Sequence, residues 1–343
     1  MRLPPFAPLI LVLALVACER SQGDSLPAAA GPKADPAATI RYANLRGADL
    51  GVGANLKGAV PFPSTNPWNT YVWNAPVDPN SDAIIASIGL NIRLHADFGA
   101  GLYEGKPIGI PYVVVSGQQK AVPIDIGVYA HESDAGPYPV PPDAPIEGGP
   151  NGTDDRHVIV VDRDNHRLYE MFRAFPVGDG TWKADGGAVF HLDANRVRPM
   201  AGEGWSSADA AGLPIFPGLV RYDEASAGLI AHALRFTVQR SRKAYVPPAT
   251  HWASPNPSPN LPPMGMRVRL KSSFVIPEHF STEGKAILQA LKTYGMFMAD
   301  NGANWFLSGA PDDRWDNAAL RRELGSVKGA DFEVVRMEGL VTP

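Results

Sequence analysis

Apolar and polar residues alternate in short runs along most of the chain, and Gly, Pro, Asp and Asn separate the runs. Runs of this kind, rich in Val, Ile, Phe and Tyr, predict strands over Ile110–Val115, Ala121–Ala130, His157–Arg163, Arg167–Arg173, Ala188–Asp193, Leu229–Gln239, Met266–Val275 and Phe332–Met337. Between two of them, Asp162-Arg163-Asp164-Asn165-His166 has the turn chemistry of a hairpin. Successive strand side chains point to opposite faces. Met266, Val268, Leu270 and Phe274 therefore face one way, and Arg267, Arg269 and Lys271 the other. Leu229–Gln239 repeats this, with Ile230, Leu234, Phe236 and Val238 inward, Arg235 outward and His232 among the apolar side chains as a core histidine. In Ala188–Asp193, Phe190 and Leu192 alternate with His191 and Asp193.

Helical spacing interrupts the strand pattern twice. Ser81 is placed to cap Asp82–Gly89, and Glu283–Ala299 carries Ile287, Leu291, Tyr294 and Met298 on one stripe before Asp300-Asn301-Gly302 stops it. Many strands with few helices predict a mainly β protein: a β-sandwich or jelly-roll-like single domain over residues 62–343 with a few peripheral helices.

The N-terminus predicts an address. An apolar run from Leu9 to Ala17 follows Arg2, too short to span a bilayer but of signal-peptide length. It ends in Leu15-Val16-Ala17-Cys18, which resembles the lipobox of bacterial lipoproteins. Residues 1–17 then form a lipoprotein signal peptide, and Cys18 is the lipidation site anchoring the protein to the bacterial cell envelope. The alternative is a plain signal peptide with a chance cysteine. Cys18 is the single cysteine, so no internal disulfide forms and the fold rests on packing. Residues 18–61 read as a flexible tether, Ala-, Gly-, Pro- and Ser-rich at first. Within it, Ala43-Asn44-Leu45-Arg46-Gly47, Ala48-Asp49-Leu50 and Ala54-Asn55-Leu56-Lys57-Gly58 look like pentapeptide repeats, about three units with a one-residue slip and too few to stack as a solenoid, so a linker is the expectation.

Composition narrows the function classes. The 343 residues include 34 Gly and 34 Pro without a period, which with 45% hydrophobic residues describes a globular, turn-rich chain. Thirty-one basic against 35 acidic residues give −4, or −5 after loss of residues 1–17, so there is no basic excess for nucleic acid. G-x-S-x-G, H-E-x-x-H, Walker and dinucleotide-binding motifs are missing, and no two of the eight histidines stand at metal-ligand spacing, so neither a metal nor a cofactor is expected. His191 and Asp193, on one face of one strand, leave open a metal assembled from distant strands.

What remains is carboxylate or base chemistry. The richest stretch, Glu203 to Glu224, joins Trp205, hydroxyls, Arg221 and Asp209, Asp223 and Glu224 in a Gly- and Pro-broken loop. Asp223 and Glu224 are neighbours, so at most one points into a given site, and Asp223 is also placed to cap a short helix. Two further polar clusters, Tyr129–Asp134 and Asp300–Gly302 followed by Trp305 and Asp312-Asp313-Arg314, are placed to close the same groove. Seven tryptophans, several beside Asp, Asn or Ser, suit stacking on sugar rings, with two or three of them lining a site and the rest in the core.

The segments Gly212-Leu213-Pro214-Ile215-Phe216-Pro217-Gly218-Leu219-Val220-Arg221-Tyr222-Asp223-Glu224, His232-Ala233-Leu234-Arg235-Phe236-Thr237, Tyr294-Gly295-Met296 and Ala299-Asp300-Asn301-Gly302 resemble a broad group of secreted, mostly uncharacterised bacterial proteins. The resemblance spans most of residues 62–336 and carries no activity, so no site residue follows from it.

The reading that results is an extracytoplasmic carbohydrate-active protein with a polysaccharide or oligosaccharide as its partner. As a glycoside hydrolase it uses a carboxylate pair drawn from Asp209, Asp223 or Glu224 with Asp300 or Asp312. Trp205, His191, Arg235, Arg267, Arg269, Lys271, Trp305 and Asp312 bind substrate. As a polysaccharide lyase it neutralises a uronate with the Arg267, Arg269, Lys271 and His191 face. As a non-catalytic envelope lipoprotein it binds sugar through tryptophan alone.

Overall fold

A computed structural model describes residues 40–200 and 204–343 of the chain. As the alternation predicts, strands dominate over helices; the larger sheets are open, and none closes into a barrel. The described residues include four α-helices: α1 (Ser81–Ile88), α2 (Tyr222–Ala225), α3 (Thr282–Thr293) and α4 (Asn317–Leu324).

The first large sheet has five strands in the order Gly186–His191, Arg167–Phe172, Val158–Asp162, Tyr112–Val115, Gly51–Val52. All pairings are antiparallel except Tyr112–Val115 with Val158–Asp162. The predicted hairpin closes where the Asp162 carboxylate accepts from the backbone N–H groups of Asp164 and Asn165 and from the Asn165 amide. Both faces are covered, which accounts for the unbroken Val158-Ile159-Val160-Val161 run. Ile159, Val161, Leu168 and Ala188 enter the larger hydrophobic cluster, while Val158, Val160 and Met171 enter a smaller one with Tyr138 and Trp182.

The second sheet has six strands in the order Phe332–Val334, Arg267–Leu270, Met296–Asn301, Leu234–Val238, Phe306–Ser308, His95–Asp97. Leu234, Phe236, Val238, Val268, Leu270, Met296 and Met298 join Ile287 and Leu291 of α3 in the larger cluster. The opposite face is polar and carries the candidate site.

Four expectations change. The helix expected over Glu283–Ala299 stops at Thr293: Gly295 turns the chain at φ +68°, and Met296–Asn301 is a strand in the middle of the sheet. An apolar stretch buried on both sides is compatible with either element, and the glycine decides. Asn80, not Ser81, stands at the N-cap of α1, and the Ser81 hydroxyl accepts from the Val334 N–H instead. Of the expected tether, residues 18–39, including Cys18, lie outside the described residues, but from Ile40 the chain belongs to the folded body. Leu45 and Leu56 are 0% and 1% exposed, and Arg41–Tyr42 pairs in parallel with Ala59–Val60, so the first and last repeat-like segments form one coil whose leucines point into the core, while Leu50 of the middle unit is exposed. Finally, the basic face is present by alternation but covered. Arg267 donates to the carbonyls of Pro67, Thr70 and Tyr294; Arg269 donates to those of Val72 and Ala75 and to the Glu333 carboxylate. They pin residues 67–75 to the sheet.

Candidate active site

The polar face of the second sheet is assembled by register. Phe306 lies beside His95, and Ser308 beside Asp97, in a parallel pair; Thr237 lies opposite Phe306 on one side and beside Asp300 on the other. With alternation, His95, Asp97, Arg235, Thr237, Phe306 and Ser308 share one face. Asp300 joins them through a bulge. Phe236 pairs with Met298 but Thr237 pairs with Asp300, so Ala299 is the extra residue that moves Asp300 from the apolar to the polar face.

Asp209 descends onto this face from the loop before α2. Arg235 holds it bidentately, Nη2 to Oδ1 at 2.9 Å and Nε to Oδ2 at 3.2 Å, and donates from Nη1 to the Ser308 hydroxyl at 2.6 Å. Asp209 and Arg235 are 1% and 3% exposed. The loop is held by the Ser207 hydroxyl, which donates to the Leu213 carbonyl, and by the buried Glu170 carboxylate, which accepts from the Ile215 and Phe216 N–H groups. Gly212, at φ +72°, allows the turn; a Cβ there would collide with the Thr250 hydroxyl and the Trp205 carbonyl.

The electrostatics follow from this crowding. Burial raises the Asp209 carboxyl well above the usual carboxylate range; Arg235 opposes the rise, while the nearby charge of Asp300 reinforces it. Beside them, His157 contacts Glu147 at 2.5 Å through Nδ1 and the Ala208 carbonyl at 2.9 Å through Nε2. Burial disfavours the His157 cation, but Glu147 outweighs it and lifts the imidazole to about 9, while His157 in turn holds Glu147 below its ordinary range. The imidazolium thus grips the backbone next to Asp209. Two carboxylates at the rim, Asp97 and Asp155, are solvent-accessible at their outer edges, yet the surrounding protein raises both. Arg235 and His95 oppose the rise at Asp97, and His157 opposes it at Asp155; Glu147 adds to both, and Asp300 to that of Asp155.

The groove therefore joins a floor of paired Arg235 and His157 to an excess of carboxyl groups, of which buried Asp209 favours its protonated form. Such a set can give and take a proton at a solvent-facing point. Among the described residues, no three His, Cys, Asp or Glu side chains converge as a metal-ligand set.

Of the predicted site residues, the fold brings together Asp209, Asp300 and Arg235, with Arg235 holding Asp209 rather than facing a ligand. Asp223 and Glu224 lie elsewhere, in a buried cluster with Arg221 and His232. Asp223 does not cap α2: it accepts from the Leu56 N–H, and Glu224 accepts from the Arg221 N–H. His232 is the satisfied core histidine expected. Trp305 is 0% exposed, stacked between Phe236 and Phe332. Trp205 is half-buried under the Arg198 guanidinium, on the loop that leads to Asp209. His191 pairs with Arg167 on the first sheet, Asp312 chelates the Arg314 guanidinium in a loop, and Lys271 donates to the Ala330 carbonyl. Glu132 and Asp134 of the second polar cluster anchor Ser206 and Arg198 beneath the loop.

Sequence reasoning missed His95, Asp97, Glu147, Asp155, His157, Phe306 and Ser308. Glu147 and His157 flank a Gly-Gly-Pro-Asn-Gly loop, whose polarity was the one signal available. No protein-family model, curated protein or solved structure matches the chain.

Proposed function

We propose that the protein is a glycoside hydrolase of the bacterial cell envelope, working in the groove above Arg235. The observation that carries the reading is the convergence on one groove of buried Asp209, whose carboxyl is raised by burial and by the charge of Asp300, with half-open Asp300 and exposed Asp155. In this reading Asp300, half-open to solvent, protonates the leaving oxygen of a glycosidic bond. Buried Asp209 keeps that proton available, Arg235 fixes Asp209, and Asp155 serves as the second carboxylate. The two larger sheets then act as the halves of a β-sandwich with the groove at their junction. The lyase alternative loses support because Arg267 and Arg269 are occupied by backbone carbonyls and Arg235 by Asp209.

The test is a screen of neutral and uronate-containing polysaccharides, recording reducing ends and the absorbance of unsaturated products. New reducing ends without unsaturation are expected. An unsaturated product would replace the reading with the lyase, and retention on glycan gels without cleavage would replace it with a binding protein. Anchoring is tested separately: Cys18→Ser should move the protein from the membrane to the soluble fraction, and an unchanged membrane fraction would end the lipoprotein reading.

A further inference from the structure

We infer that the face of Phe306 turned away from His95 is the platform on which a sugar ring of a neutral glycan rests, with His95 backing the ring from behind, and that the groove turns uronate chains away; this rests on the hydrolase reading. The two rings lie face to face, centroids 4.2 Å apart and 28° from parallel, on neighbouring strands of the polar face. His95 is exposed and Phe306 half-buried, whereas the other aromatic rings of this sheet, Phe236, Phe297 and Phe332, are buried. Through Thr237, Phe306 stands two strand spacings, roughly 10 Å, from Asp300, leaving room for the reacting sugar between them.

The backbone is strained to hold this arrangement. Trp305 adopts φ +62°, a conformation that a bulky residue seldom takes. Its indole is locked by stacking on Phe236 and Phe332 and by donating to the Gly89 carbonyl. The twist buries Trp305 and leaves its neighbour Phe306 toward the groove.

Charge selects the glycan. Asp97, Asp155, Asp300 and Glu147 surround the groove, and its two cations, Arg235 and His157, are buried and already paired. Sugar hydroxyls can donate to these carboxylates and C–H faces can pack on the Phe306 ring, but among the described residues of the groove a uronate finds no unpaired arginine or lysine and meets like charge.

The experiment uses the full chain on the neutral glycan it cleaves best. Phe306→Ala should raise KM about tenfold with kcat within about twofold and the melting temperature unchanged, and Phe306→Trp should restore KM. Uronate polymers should neither be cleaved nor compete. Unchanged KM in Phe306→Ala, or competition by a uronate polymer as strong as by the neutral glycan, overturns the inference while leaving the hydrolase reading in place. Failure of the wild type to cleave any glycan overturns both.

Discussion

Two clusters in this molecule have nearly the same composition and opposite circumstances. Around Arg235 stand Asp209 and Asp300, with the His157–Glu147 pair beside them; around Arg221 stand Asp223 and Glu224, with His232 beside them. The Arg221 cluster is closed. The coil formed by residues 41–60 lies over it, and Asp223 takes the Leu56 N–H as a partner. Burial alone would raise Glu224, but Arg221 and His232 outweigh it and hold the carboxylate below its ordinary range, so it stays ionised and fixed. The Arg235 cluster is open on one side. Asp300 faces the groove, and its charge adds to the burial that raises Asp209. Burial and Glu224 raise Asp223 in the closed cluster as burial and Asp300 raise Asp209 in the open one, so an arginine with two acids is a staple where the chain covers it and a candidate for proton transfer where one acid reaches water.

The comparison breaks most visibly at the acids. Asp300→Asn should lower kcat/KM on the cleaved glycan by about 10³-fold with little change in melting temperature. Asp223→Asn should do the reverse, lowering the melting temperature and leaving kcat/KM per folded molecule intact. Equal losses of activity in both would erase the distinction. Replacing the staple's cation comes next: Arg221→Met leaves two buried carboxyl groups unopposed and should cost about 4 kcal/mol in urea unfolding. It should also speed hydrogen exchange at the Leu56 amide. An unchanged unfolding midpoint would show that the coil is held by its leucines alone.

A smaller effect comes from pH. Folding raises His157 from 6.5 to about 9, so the folded state binds the proton more tightly. The stability this contributes is complete below the unfolded value and is lost as pH rises through the folded one, about 2 kcal/mol between about pH 7 and 9. Glu147→Gln should flatten that part of the stability–pH curve measured by chemical denaturation; a wild-type curve with no slope there would remove the imidazolium. Smallest of all, Asp209→Asn removes the one carboxyl of the pair that burial raises and should shift a limb of the pH profile of kcat/KM, sharpening the assignment of that limb to Asp209. A profile identical to wild type would refute a titrating role for Asp209.

Legibility followed the range of the interaction. The Asp162–Asn165 turn, the α3 stripe and the two faces of Arg267–Leu270 depend on residues a few positions apart, and periodicity exposes them. Leu45 and Leu56 are readable as a repeat stripe but not as buried, because about three short units cannot announce which of their leucines the rest of the chain will cover: Leu50 of the same stripe is exposed. The loop from Trp205 to Glu224 stood out as polar, yet three of its acids looked alike. Asp209 became a groove residue because Arg235 lies on the strand beneath it, and Asp223 became structural because Leu56 arrives from the other end of the chain.

By itself, the sequence determined most of the first sheet's strands and those over Arg267–Leu270 and Leu234–Val238, which face of each is apolar, and that one cysteine leaves the fold to packing. Tertiary structure alone decided what covers each polar face and which carboxyl groups touch. The bulge at Ala299 shows why. Strand alternation reports a side chain's direction relative to its neighbours, but one extra residue reverses that direction, and only the pairing of Thr237 with Asp300 records it. Acidity has the same origin: proton affinity is set by burial and by charges a few ångströms away, and those charges come from strands and loops that meet only when the sheets assemble.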